Sequence, residues 1–263
     1  GKIIMVMKRH KRIAASATTY ILLIIALVWT IFPVYWMIKS SITVNSEMYV
    51  ARPSLIAKHY TFENYVDLFT KTEFPRALLN SLMIAFLTTV CCLLISILGS
   101  YAMTRLKYPG RRFFKTSIIF SYLIPTAVLF VPMYVFVSKL GFYDNKWALL
   151  IIYPTTVVPY CCYMLMSYFK AIPYALEEAA LIDGCTRMKS LRYIITPIAL
   201  PGIAVVATFA FTMSWNEYLY AMIMTTSPAQ QTAVVAISSF KYADSAIWGR
   251  IMAASVLTSL PVT

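Results

Sequence analysis

The sequence predicts an all-α, polytopic membrane protein with six transmembrane helices, and three observations carry that prediction. Hydrophobic residues make up 60% of the 263 positions, and the mean hydropathy is +0.71. A soluble domain of this length has too little interior for so much apolar surface, so lipid must solvate most of the chain. The apolar residues are also gathered into runs that lack Asp, Glu, Lys and Arg and are long enough to cross a bilayer, which takes roughly 20 residues at about 1.5 Å each. Lysines and arginines fall between those runs rather than within them.

Taken in order, the charge-free runs are 13–38, 77–104, 116–138, 147–169 and 193–216, and each predicts one span. The first follows Lys8-Arg9-His10-Lys11-Arg12 in the manner of a secretory signal. Its apolar run is too long for that, and no Ala-x-Ala site follows, so an uncleaved helix is expected. The third and fourth runs contain Pro125, Pro132, Pro154 and Pro159. Proline removes a backbone donor and bends a helix, which suits either bundle packing or a pathway that opens and closes. A sixth span starts near 246 and is charge-free from 251 to 263, so this last helix is expected to be incomplete in the chain. Tyr35 and Trp36, Phe113 and Phe114, Phe142 and Tyr143, and Tyr168 and Phe169 mark span ends, where an aromatic ring is buried and its polar tip hydrated.

Orientation follows from charge. With the N-terminus inside, segments 1–12, 105–115 and 170–192 hold 14 basic and 3 acidic residues, against 9 basic and 7 acidic in the longer outer segments 39–76, 139–146 and 217–250. This bias predicts a cytoplasmic N-terminus in a prokaryotic inner membrane. The chain then reads as a cytoplasmic segment 1–12 and a transmembrane domain 13–263, with an outer, periplasmic loop 39–76 and a cytoplasmic loop 170–196. The net charge of +13 is spread between apolar runs, which favours lipid head groups over nucleic acid as its partner. The basic loop of Arg105, Lys107, Arg111 and Arg112 reads as an orientation and lipid-contact feature, with contact to another subunit as the alternative.

Absent chemistry excludes several functions. Cys91, Cys92, Cys161, Cys162 and Cys185 have no metal-ligand spacing, and His10 and His59 lie outside the apolar runs, so no metal site is expected. No G-x-x-x-x-G-K-[ST] loop is present, so the chain is expected to bind no nucleotide of its own and not to be an enzyme. Runs two to four hold no carboxylate, which counts against the competing reading of an ion-coupled secondary transporter. If the chain is a pump, energy must enter from a partner on one face.

The loop 170–196 is where such a partner would bind. Pro173 suits a first helical position, Glu177 and Glu178 suit the positive end of a helix dipole, and Gly184 suits a stop after about three turns. Arg187, Lys189 and Arg192 then fall on a second short helix that Pro197 is expected to end. Two short helices joined at a glycine form a knob with little bulk at Ala179 and Ala180. Physically, either a docking knob or an interfacial linker fits.

The spacing Glu178-Ala179-Ala180-x₃-Gly184-x₉-Ile194-x₂-Pro197 is similar to the EAA loop of binding-protein-dependent ABC importer permeases, with Thr196 where that family has leucine. Asn80-Ser81-Leu82, Arg105 to Gly110, Asp183-Gly184, Trp215-Asn216-Glu217, Trp248-Gly249 and Ser259-Leu260-Pro261 extend the resemblance to the carbohydrate class, which includes the second permease of the maltose transporter. The resemblance implies a type I ABC importer permease fold, a homologous second permease, two ATPase subunits that hold ATP and Mg, and an extracytoplasmic binding protein that delivers a sugar. It places Glu178, Ala179, Ala180, Asp183, Gly184 and Arg187 against the ATPase subunit. It places an outer loop at about 239–245, with Phe240, Lys241, Tyr242, Ala243 and Asp244, against the binding protein. Trp215, Asn216 and Glu217 become candidates for the translocation path, weighed against plain solvation of a carboxylate at a span end.

Overall fold

The computed structural model describes residues 2–50, 52–240 and 248–263; among them the regular elements are helical, with one isolated bridge between Thr43 and Tyr60. The chain divides into two compact units, residues 1–72 with 240–261 and residues 73–239, each described by itself.

In the first unit, α1 (Lys2–Ser41) carries an apolar stretch, Thr18–Ser41, that is long enough to cross a membrane and faces outward through its apolar window. Two short helices follow, α2 (Asn45–Met48) and α3 (Glu63–Thr70). The turn between them is held by Glu47, whose carboxylate accepts from the Lys58 and His59 backbone N–H groups at 3.0 and 2.9 Å. These bonds keep the Glu47 pKa below its usual value, the Lys58 bond first among them.

The second unit runs from α4 (Phe74–Arg105) through α5 (Arg111–Leu123), α6 (Thr126–Lys139), α7 (Ala148–Ala171), α8 (Tyr174–Ile182) and α9 (Arg187–Ser190). A π-helical turn, Leu191–Ile195, leads into α10 (Thr196–Ile198), α11 (Leu200–Trp215), α12 (Leu219–Met224) and α13 (Ala233–Ser239). The last helix, α14 (Trp248–Ser259), belongs to the first unit and packs on α1 and α3.

α4 and α7 lie along each other through small residues. Ser100 Oγ donates to the Cys162 carbonyl at 3.1 Å, and Gly99 lies beside the Cys162 sulfur. This close, small-residue contact is how apolar helices associate where lipid supplies no hydrophobic drive. Cys92, Cys161 and Cys162 are buried here as packing residues.

The two helices run in the same direction. The last turn of α4 bonds to the last turn of α7 through Arg105, while Lys146, just before α7, reaches Asn80 near the start of α4 at 2.7 Å. The connection between them must therefore travel back along the layer, and α5 and α6 do so as a pair bent by 99° at Ile124-Pro125. α5 packs beside the later half, with Ile118 against Met103, Cys162 and Met166, and α6 ends beside the earlier half, with Val137 against Ile84 and Leu149. A second bend, of 81°, separates 187–198 from α11. Two apolar clusters mark the two ends of the layer, one around Ile84, Leu149, Tyr153 and Met224, the other around Tyr101, Phe169, Leu191 and Ile195.

These findings amend the sequence reading. Among the described residues, three helices are long and apolar enough to span, and up to five spans result if each bent pair counts as one. Pro125 breaks a helix, but Pro132, Pro154 and Pro159 sit inside unbroken ones. Pro197 does not end the second short helix, because helical backbone continues through Ile198 and the chain turns at Ala199-Leu200. α14 lies where the sixth span is expected, but its 12 residues cover about 18 Å at ~1.5 Å per residue, too short to cross.

Candidate functional site

The loop between α7 and α11 forms a knob at the Arg105 end of the layer. Ile172 and Pro173 have extended backbone (ψ 126° and 136°), which stops α7 and redirects the chain. Pro173 is thus the residue before α8 rather than its first helical residue. α8 stops in a hydrogen-bonded corner in which Cys185 N–H donates to the Ala180 carbonyl at 2.9 Å and Gly184 N–H donates to the Leu181 carbonyl at 3.2 Å. Gly184 has φ +84°, the left-handed geometry this cap requires. Thr186 then caps α9 by accepting from the Lys189 N–H at 3.3 Å.

Five of the six expected contact residues, Glu178, Ala179, Asp183, Gly184 and Arg187, are exposed on this knob. Ala180 is not. It is 4% exposed and faces the chain's own interior, so the low bulk at 179–180 divides into one outward and one inward methyl group. Beside the knob a cleft of about 840 Å³ is lined by Arg105, Lys107, Arg111, Glu177, Glu178 and Arg187.

Under the knob lies a buried polar cluster that sequence reasoning missed. Glu177 is 4% exposed; its Oε1 accepts from the Tyr101 hydroxyl at 2.5 Å and lies 3.8 Å from Arg187 Nη1, while its Oε2 lies 3.8 Å from Arg105 Nε. Arg105 donates from Nη2 to the Phe169 and Ile172 carbonyls, the latter at 2.6 Å, and its guanidinium covers the Tyr174 ring at 4.2 Å. Tyr174 in turn donates its hydroxyl to the Thr104 carbonyl at 2.8 Å. Burial with fixed partners overturns the reading of Arg105 as a lipid-facing orientation charge. The available signal was the pair Glu177-Glu178: neighbours on a helix point about 100° apart, so the two carboxylates need not share one environment.

The other candidates separate as well. Trp215 is buried, its ring stacked on Phe211 at 5.5 Å, so it does not line an open path. Asn216 is exposed and donates to the Thr212 carbonyl at 3.0 Å. Glu217 uses both carboxylate oxygens on backbone, accepting from Tyr220 N–H at 3.0 Å and Ala221 N–H at 3.1 Å at the start of α12. It caps this helix, a structural role distinct from the sugar-facing acceptor weighed for it beside Asn216. Phe240 is half-buried; Lys241, Tyr242, Ala243 and Asp244 lie outside the described residues. Among the described residues no group of His, Cys, Asp and Glu side chains is placed to hold a metal.

A bundle of apolar helices with charge-bearing ends and an exposed helical knob defines a multi-pass membrane subunit. Residues 95–263 match the family described as the binding-protein-dependent transport system inner membrane component. The inner membrane ABC transporter permease protein YcjP of Escherichia coli is 35% identical over 258 residues, which cover 97% of this chain and 92% of that protein. The trehalose/maltose transport system permease protein MalG of Thermococcus litoralis is 34% identical over 235 residues, 88% of this chain and 84% of that protein. The fold resembles, with a TM-score of 0.83 and 21% identity over 94% of this chain and 92% of the other, a chain from the crystal structure of a bacterial ABC transporter involved in the import of the acidic polysaccharide alginate. The chain belongs to the binding-protein-dependent ABC transporter permeases, membrane subunits that lack ATPase activity and work with an ATP-binding partner.

Proposed function

We propose that this chain forms half of the transmembrane pathway of a sugar importer driven by two ATPase subunits, one of which grips the α8–Gly184 knob. A homologous permease supplies the other half, and an extracytoplasmic binding protein delivers the mono- or oligosaccharide. The observation that carries this reading is the knob itself, with Glu178, Ala179, Asp183, Gly184 and Arg187 turned outward while Ala180 and Glu177 hold it to the bundle. The family supplies the importer class, and the trehalose/maltose relative supports the sugar. In this reading the Arg105 end faces the cytosol, as the basic bias of segments 105–115 and 170–192 favours. The N-terminal segment is then cytoplasmic too, α14 contributes to a sixth span, and the loop from Phe240 to Asp244 meets the binding protein.

Two substitutions test the knob. Gly184→Ala must adopt φ +84° with a Cβ, costing about 1–2 kcal/mol and loosening the corner. Glu178→Lys reverses an exposed charge on the docking face. Each variant is expected to stay in the membrane yet retain less than a tenth of the co-purifying ATPase subunit. Normal co-purification together with normal uptake of radiolabelled sugar defeats the docking reading.

A further inference from the structure

A force applied to α8 reaches the membrane helices covalently only through two extended residues on one side and a bent stretch on the other. Ile172 and Pro173 make the link to α7, and the π-helical turn with the bend at Ala199-Leu200 makes the link to α11. Such joints swing unless something locks them. Arg105 is placed to lock the first. It sits at the last position of α4 and bonds to Phe169 and Ile172 at the end of α7. It also meets Glu177 in the first turn of α8 and covers Tyr174, whose hydroxyl returns to Thr104 on α4. Guanidinium suits the task because it keeps its charge: Nη2 donates to both carbonyls, while Nε faces Glu177 Oε2 at 3.8 Å as an ion pair without a hydrogen bond.

α4 extends the lock to the opposite end of the unit. Its 32 residues cover about 48 Å at ~1.5 Å per residue. Near its start, the Asn80 amide donates to the Ala229 and Gln231 carbonyls at 3.1 and 3.0 Å, and Ser81 Oγ accepts from the Ala233 N–H at 2.8 Å. Helix α4 therefore grips the knob at one end and the segment before α13 at the other.

We propose that Arg105 and Glu177 are positioning residues that make α4, the end of α7 and α8 a single lever. This lever carries motion of the knob to the 229–233 segment at the far face. The inference rests on the coupling reading above and deepens it. The pair sits where burial is costly, and removal of either partner alone leaves a buried charge unmatched.

The test uses the intact importer, with native cysteines replaced, and needs no identified sugar. Gln231→Cys is labelled by a charged methanethiosulfonate reagent added from the outer side, with and without Mg-ATP plus vanadate. In the parent the trapped nucleotide is expected to change the labelling rate at least threefold. Glu177→Gln and Arg105→Lys are expected to reduce that change to less than 1.5-fold while the ATPase subunits still co-purify, a separation that mere loss of folding does not produce. Tyr101→Phe, which removes only one hydroxyl on Glu177, is expected to fall between them and carries the test if the charge variants fail to assemble. A parent rate that ignores nucleotide, or variants that respond like the parent, overturns the lever. Separately, Ala179→Cys is cross-linked to the ATPase subunit. If that fails, the coupling reading is at fault; if it succeeds while the variants respond normally, only the lever is.

Discussion

At the scale of single residues, Asn64 and Gly249 show how tightly one position depends on another. Asn64 is buried, and its amide nitrogen donates to the Ser41 and Thr43 carbonyls at 3.0 Å each while its oxygen accepts from Asn45. A Cβ on Gly249 would fall within 2.6 Å of Asn64 Cγ, so α14 can approach only because position 249 has no side chain. Gly249→Ala is expected to destabilise by about 1–3 kcal/mol through overpacking. Asn64→Ala strands two backbone carbonyls at a similar cost, about 1–3 kcal/mol. The double variant should lose clearly less than the sum of the two, because the crowding partner is gone. Melting temperatures of the four proteins in one detergent decide it, and strict additivity would show that the two positions do not interact.

At the scale of elements, Glu217 and Asp144 do related work. Glu217 caps α12 with both oxygens, so Glu217→Ala is expected to cost about 1 kcal/mol of stability. Uptake KM should stay within twofold; a large rise in KM at unchanged melting temperature would return Glu217 to the sugar path. Asp144 accepts from the Ser227 N–H at 2.8 Å and from the Ser227 hydroxyl, and these bonds hold its carboxyl below the usual aspartate value. A depressed folded pKa stabilises above the unfolded value of about 3.9 and loses that contribution as pH falls further through the folded value. The melting temperature of the parent should therefore drop towards that of Asp144→Asn below pH 4, and a gap that stays constant down to pH 2 refutes the tie. The sequence shows such elements unevenly. Charge-free runs are legible because hydropathy is local, and the Gly184 corner is legible because few residues adopt positive φ. The breaks are not: Pro125 ends a helix while Pro154 and Pro159 do not, since neighbouring helices decide whether a lost backbone bond is tolerated. Glu177 was obscured in the same way, because a helix-dipole role and a buried ion pair look alike until the facing Arg105 is known.

At the scale of the whole molecule, the parallel course of α4 and α7 decides what the bent pairs are. A re-entrant loop returns to the face it left. Residue 105 and residue 146 lie at opposite ends of the α4–α7 layer, so the α5–α6 pair must cross despite its 99° bend. The same logic takes 187–215 across, because the knob sits at the Arg105 end while the Ala229 and Gln231 carbonyls sit on Asn80 at the other. α8 and the 225–232 segment must then face opposite compartments. In the proposed orientation, which the basic segments favour, the knob is cytosolic. Single cysteines at exposed Ala179 and exposed Thr226 test this in a background without native cysteines. An impermeant maleimide should label Thr226→Cys in intact cells and Ala179→Cys only in inverted vesicles. Labelling of both from one side would make a bent pair re-entrant, and labelling with the sides exchanged would invert the chain and remove the knob from any ATP-binding partner.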